Sequence, residues 1–299
     1  MSDSLRVAVI GGGIMGRGIA SALAVSGHEV TVVEPDAAAT AALAPGILVA
    51  ADIESGVSRS DLVIEAVPEQ MSIKTPVWQR MGAAAPATAI LASNTSALDI
   101  DALAAVVPHP ERVLGTHWFN PATVVPCVEI VRGTATNQGV IERVTRIMRD
   151  AGKAPVVVAN SPGFVANRIQ FALVREALLC LEEGLASAED IDTIVSSSFG
   201  IRLAVWGPLA NADLGGLDTS RSILEFLTST LGERYQPPEI LERLVAEGRL
   251  GTKTGAGISE YTSGSAAAVA AWRDAALVRV IDAVGRNSID AVGDRPHGN

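Results

Sequence analysis

The chain has few cysteines, few charged residues and no long apolar run. Its two cysteines, Cys127 and Cys180, match no metal-binding or redox spacing. No metal site is therefore expected, and a disulfide framework is unsupported. The mean hydropathy of +0.32 raises the question of a membrane. No uncharged stretch, however, reaches the about 18 mainly apolar residues that a spanning helix needs. The nearest, Ala83–Leu98, is interrupted by Pro86, Asn94 and several hydroxyl residues. The opening Met1-Ser2-Asp3-Ser4-Leu5-Arg6 enters a strand-like run without the layout of a signal peptide. Basic residues are also scarce: 23 Lys and Arg face 33 Asp and Glu, for a formal charge of −10. That balance argues against the basic stripe of a nucleic-acid surface. There is no internal repeat and no low-complexity segment beyond alanine richness. The expectation is a cytoplasmic globular protein with no nucleic-acid or membrane partner. Its 299 residues, 48% hydrophobic, fit one large or two medium domains.

The first half alternates strand and helix signals. Apolar runs of strand length lie at Leu5–Gly11, Glu29–Glu34, Asp61–Val67, Ala89–Asn94 and Arg112–Trp118. Helical patterns fall over Ile14–Val25, Gln70–Ala84 and Asp99–Ala105. Near-continuous apolar strands separated by helices are what a sheet covered on both faces requires. This reads as an α/β Rossmann-type, doubly wound, mainly parallel sheet, completed by Cys127–Gly133, a helix over Asn137–Ala151, and Pro155–Ala159. Beyond Asn160 the pattern is helical only: Phe164–Gly184, Ala188–Ser198, Leu217–Leu231, Glu239–Gly248 and Ala266–Gly285. The expected domains are 1–160, the α/β Rossmann-type domain; 161–285, a helical domain; and 286–299, a flexible tail.

Gly11-Gly12-Gly13-Ile14-Met15-Gly16 fits G-x-G-x-x-G between a strand and a helix. Gly11 permits a tight turn, Gly13 lets backbone approach a pyrophosphate, and Gly16 allows close helix–strand packing. The helix that begins at Ile14 and Met15 aims its N-terminal amides at the phosphates. Glu34, 23 residues after Gly11, ends the next strand. A carboxylate there accepts hydrogen bonds from the adenosine ribose and repels a 2′-phosphate, pointing to NAD. Asp36 could share that role, and a structural glycine turn is the bland alternative.

Ser93-Asn94-Thr95-Ser96, Gly115-Thr116-His117-Trp118-Phe119-Asn120-Pro121, Val128–Gly133 and Ser161–Arg168 form a recognisable set. Gly207-Pro208, Asp213 with Gly216-Leu217-Asp218, and Gly251-Thr252-Lys253-Thr254-Gly255 extend it. In order and spacing, from about residue 5 to Tyr261, the chain resembles the short-chain L-3-hydroxyacyl-CoA dehydrogenase family. The resemblance implies reversible hydride transfer between a secondary alcohol and NAD, with His117 as acid and base. Histidine suits both directions because its ordinary pKa lies near neutrality. It further implies that Glu129 orients the ring, and that Ser96 and Asn167 hold the reacting oxygen. Ala66, Glu69, Lys74 and Asn94 match residues on the cofactor side. Asn167 falls in the helical half, so a site in the cleft between domains is expected. Other readings stay open: His117 as a half-buried core residue, Glu129 as the partner of Arg132, Ser96 as a helix cap, and Glu69 with Lys74 as neighbours on an exposed helix turn.

The chain also departs from that family. The family has a long helical hairpin after the second strand that helps hold coenzyme A. Here only 31 positions separate Glu34 from Glu65, leaving room for one short helix and one short strand. Ala210 and its neighbours replace an aromatic and acidic pair, and the chain continues past Tyr261. The expected substrate is a 3-hydroxy or 3-keto compound smaller than, or held differently from, acyl-CoA. A true acyl-CoA dehydrogenase is the alternative. A nicotinamide-binding sensor or structural protein without turnover, and an enzyme reducing imines, are others. The family's helical half forms a two-fold dimer, and the apolar helices here suit a homodimer.

Overall fold

The computed structural model describes residues 4–262 and 265–284. The expected tail at 286–299 lies outside these residues. The chain divides into two compact units, Met1–Val174 and Arg175–Asn299.

The first unit holds eight strands. They are β1 (Arg6–Ile10), β2 (Glu29–Val33), β3 (Leu48–Ala50), β4 (Leu62–Glu65), β5 (Ile90–Ser93), β6 (Val113–Trp118), β7 (Cys127–Arg132) and β8 (Ala154–Ala159). They form one sheet in the order β3-β2-β1-β4-β5-β6-β7-β8. Every pairing is parallel except β6 with β7. Strand alternation sends side chains to two cores: Val7 and Val9 enter one, Ala8 and Ile10 the other. Buried apolar residues on both faces explain why these strands read as continuous apolar runs.

Six helices cover the sheet: α1 (Ile14–Val25), α2 (Ala37–Thr40), α3 (Ile53–Val57), α4 (Met71–Ala84), α5 (Ile100–Ala104) and α6 (Gln138–Asp150). Helix α1 buries Gly16, Ile19, Ala20 and Leu23, one stripe at helical spacing. Between β2 and β4 the sequence suggested one helix and one strand; the structure has α2, β3 and α3. The extra helix forms because Asp52 accepts from the Ser55 amide at 2.8 Å while Ile53 and Val57 are buried.

Helix α7 (Ala166–Glu182) begins in the first unit, and the division at Val174 falls within it. The second unit continues with α8 (Ala188–Ser197), α9 (Phe199–Val205), α10 (Pro208–Gly215), α11 (Leu217–Leu231), α12 (Glu239–Ala246) and α13 (Ser265–Val284). Helices α9 and α10 had no sequence expectation. Pro208 follows Gly207 at the first turn of α10, where proline starts a helix instead of breaking one. Leu217, Leu241 and Leu244 form a small core. Asp213, almost fully buried, accepts from the amides of Ile258 and Ser259 and from the Tyr261 hydroxyl, each at 2.9 Å. That bond and burial push the Tyr261 hydroxyl up to about 12, burial being the larger cause.

Candidate active site

The expected residues of the first unit lie at or just beyond the carboxyl ends of β1, β2, β4, β5 and β6, except Lys74 on α4, Glu129 within β7 and Asn167 on α7. In open α/β sheets this is the edge where ligands bind.

The glycine turn leaves β1 directly. Gly11 adopts a positive φ of 104°, and its amide donates to the Val33 carbonyl at 2.9 Å. A Cβ at Gly11 would lie 2.8 Å from the Ala66 carbonyl oxygen, and one at Gly16 would lie 1.9 Å from the Gly11 carbonyl oxygen. Both positions admit glycine alone. Gly13 differs: nothing lies within 4 Å of where its Cβ would be, and no side chain caps the helix that follows. Open space over uncapped amides at a helix N-terminus fits the pyrophosphate of a dinucleotide. Ile14 is exposed and Met15 half-buried beside it. Glu34 accepts from the Gly12 amide at 2.8 Å and from the Asp36 amide at 3.0 Å, so the turn itself fixes the carboxylate.

At the end of β4, Glu65 is fully buried, although the sequence reading passed over it. It accepts from the Val67 amide (2.8 Å), Lys74 Nζ (2.6 Å), Trp78 Nε1 (3.0 Å) and Ser93 Oγ (2.8 Å). A carboxylate inside the otherwise apolar run Leu62–Val67 was the available signal. Lys74 is buried, not on an exposed helix turn; its remaining contacts are Glu69 at 3.2 Å and the Val67 carbonyl at 3.3 Å. Glu69 in turn accepts from Thr95 Oγ1, from the Ser96 amide at 2.9 Å and from the Ala97 amide at 3.3 Å. Burial pushes the Glu69 carboxyl up, but Thr95, Lys74 and the Ser96 amide outweigh it and hold the group below the usual carboxylate range. Asn94 fixes β6 by accepting from the Trp118 amide at 3.0 Å.

His117 and Glu129 are direct partners in the antiparallel register of β6 and β7, so their side chains share a face. His117 Nδ1 lies 2.7 Å from Glu129 Oε2, and both residues are buried. Phe119 and Phe164 flank the imidazole, with ring centroids 4.5 and 5.8 Å away. The second Glu129 oxygen accepts from the Val165 and Ala166 amides at 3.1 and 3.0 Å. Burial raises the Glu129 carboxyl, but the hydrogen bond to His117 and these amides prevail and hold it below the usual carboxylate range. With Nδ1 engaged, Nε2 is the nitrogen left for a substrate proton. On α7, Asn167 donates from Nδ2 to the Ser96 carbonyl at 2.8 Å. The structure thus pairs His117 with Glu129 and Ser96 with Asn167. All four lie in the first compact unit.

Two family models match the chain. The one described as 3-hydroxyacyl-CoA dehydrogenase, NAD binding domain, matches residues 6–47 and 36–161; the C-terminal domain model matches 163–261. The chain belongs to the 3-hydroxyacyl-CoA dehydrogenase family. It is an NAD-dependent oxidoreductase acting on CH–OH groups, and the expectations of family, fold class and cofactor are met. A Mesorhizobium japonicum protein named 5-formyl-3-hydroxy-2-methylpyridine 4-carboxylate 5-dehydrogenase is 37% identical over 298 residues, covering 92% of this chain and 96% of its own. A Bacillus subtilis probable 3-hydroxybutyryl-CoA dehydrogenase is 37% identical, covering 86% and 97%. Among solved structures, a 3-hydroxyacyl-CoA dehydrogenase from Archaeoglobus fulgidus matches with a TM-score of 0.82 at 34% identity, over 94% of this chain and 99% of that one. A crystal structure described as the pyridine carboxylate 5-dehydrogenase, an NAD-dependent dismutase, gives 0.73 at 34% identity, over 96% and 99%.

Proposed function

We propose that this dehydrogenase interconverts a small 3-hydroxy compound and its 3-keto form, and that the substrate carries no coenzyme A. The observation that carries this reading is the short connection from β2 to β4. Its helices α2 and α3 have four and five residues, around a three-residue strand. The long hairpin that helps grip coenzyme A in the family has no counterpart there. Charge agrees: residues 35–61 hold one basic side chain, Arg59, against Asp36, Asp52, Glu54 and Asp61. A coenzyme bearing a pyrophosphate and a 3′-phosphate would meet repulsion where it needs cations. The resemblance to a relative named for a pyridine carboxylate supports the same reading.

Gly11, Gly13, Ile14, Met15 and Gly16 would hold the dinucleotide phosphates, Glu34 the adenosine ribose, and Ala66, Glu69 and Asn94 the nicotinamide side, with Lys74 behind Glu69. Bound NAD supplies the hydride acceptor for oxidation and the donor for reduction. His117 takes the hydroxyl proton at Nε2 in oxidation and returns it in reduction. Glu129 fixes the tautomer from Nδ1 and stabilises the imidazolium. Ser96 and Asn167 hydrogen-bond the reacting oxygen. General acid–base help of this kind contributes roughly 10²–10⁴-fold.

Among the described residues no helix is long and apolar enough to cross a membrane. We place the enzyme in the cytoplasm as a homodimer, with residues 161–285 as the substrate and dimerisation domain. Helix α7 supports this, having no buried residue while Phe171 and Leu178 are 61% and 60% exposed.

The test is steady-state reduction by NADH of acetoacetyl-CoA against free 3-keto acids and simple ketones. We expect kcat/KM for the best free substrate to exceed that for the thioester by tenfold or more. Preference for the thioester would establish the second reading, an acyl-CoA dehydrogenase, which the archaeal structure of that description favours.

A further inference from the structure

We propose that Phe164 is a positioning residue for the His117–Glu129 pair, acting through its left-handed backbone; this rests on the functional reading above. Ser161–Phe164 closes a turn, with the Phe164 amide donating to the Ser161 carbonyl at 2.8 Å. Pro162 and Gly163 occupy its centre, and Gly163 has a φ of 72°, the combination that a type II turn demands. The chain then does something Pro-Gly does not require. Phe164 also adopts a positive φ, 49°. For a bulky side chain this region is disfavoured, and a residue held there must be over-determined by its surroundings.

Those surroundings are visible. Phe164 is 2% exposed and belongs to the core cluster that contains Val131 and Ile100, with Val158 packed against it. Its ring also lies beside the imidazole of His117. Burial of the ring therefore holds the backbone in a conformation that phenylalanine would not choose alone. The consequence falls on the next two residues. Their amides, at the start of α7, converge on one oxygen of Glu129, whose other oxygen meets His117. An extended Phe164 would turn both amides away. Glu129 would then lose the donors that balance its burial, and the imidazole its fixed partner. The titratable groups facing Glu129 are His117 on β6 and Cys127 on its own strand, whose thiol is raised by burial and then by Glu129.

The idea makes an unusual demand: deleting more of the side chain should do less harm. Glycine adopts a positive φ freely, whereas alanine does not. Phe164→Ala should lower kcat about tenfold or more, and Phe164→Gly should restore at least a third of the wild-type value. The NADH dissociation constant, followed by fluorescence, should stay within about twofold in both. The far-downfield Nδ1 proton of His117, read by NMR on histidine-labelled protein, should persist in Phe164→Gly and broaden away in Phe164→Ala. Ala166→Pro is the second variant. It removes one donor to Glu129 at a first-turn position that tolerates proline and creates no cavity. It should lower kcat three- to tenfold and weaken the same proton signal. Equal or greater loss in Phe164→Gly than in Phe164→Ala overturns the proposal. If neither Phe164 variant folds, an unchanged Nδ1 signal and kcat in Ala166→Pro overturn it. The NMR readout needs no substrate. An inactive wild type would therefore count against the functional reading while leaving this one open to decision.

Discussion

His117 and Glu129 stand twelve positions apart in sequence yet opposite each other in space, because β6 and β7 run antiparallel. This reversal in an otherwise parallel sheet brings an imidazole and a carboxylate to adjacent sites on one face, as the proposed roles of base and orienter require. Glu129 is held below the usual carboxylate range in the folded protein, against the pull of burial. A depressed folded pKa gives stability that is present above the ordinary carboxylate value of about 4.3 and disappears as pH falls through the folded one. Glu129→Gln should therefore lower Tm at pH 7 but flatten the loss of Tm between about pH 4.5 and pH 3. Thermal melts across that range check it, and a parallel fall in variant and wild type would count against it. The glycine motif and Glu34 were legible in the residues because a dinucleotide turn needs glycines and a carboxylate at particular strand ends, and His117 and Glu129 were singled out by the family resemblance. The backbone amides of Val165 and Ala166 were not, since any non-proline residue carries an amide. Only the folded turn aims them.

The elements carry a second arrangement that pattern reading missed. Helix α4 places Lys74 and Trp78 one turn apart so that both reach Glu65 at the end of β4. A buried ion pair contributes little by its presence, but removing one partner leaves a charge in a medium that cannot solvate it. Lys74→Met should destabilise the protein by about 3–5 kcal/mol, measured by denaturant titration. Glu65→Gln together with Lys74→Met should recover most of that loss. A cost below about 1 kcal/mol for the single change would contradict the reading. Apart from the extra helix α3, strand and helix order through β8 was legible, because apolar periodicity and the parallel sheet's burial on both faces speak together. Helices α9 and α10 were not. They are short, none of the residues of α9 is buried, and α10 buries Asp213 and no apolar residue. The sequence of α10 carries no apolar stripe to find, and α9 is only seven residues long.

At the scale of the whole molecule the stretch between β2 and β4 is short, and its brevity carries the proposal of a substrate without coenzyme A. The length of 299 residues conceals this, since the chain also continues past the family match that ends at residue 261. Among the described residues the second unit has few buried apolar side chains for its helices, with Ile223, Phe226 and Trp272 each more than half exposed. A second copy would bury such faces. Sedimentation equilibrium at micromolar concentration should report twice the mass of one 30.9 kDa chain. A monomer at that concentration would remove the dimer from the account.

The central claim is that His117 moves the substrate proton in an NAD-dependent reaction. The direct measurement is His117→Ala, assayed for turnover on the best ketone of the panel and titrated with NADH in parallel. We predict a fall in kcat of about a thousandfold, within the range for loss of a general acid–base group, with the NADH dissociation constant changed by less than about twofold. Turnover within tenfold of wild type would contradict the assignment.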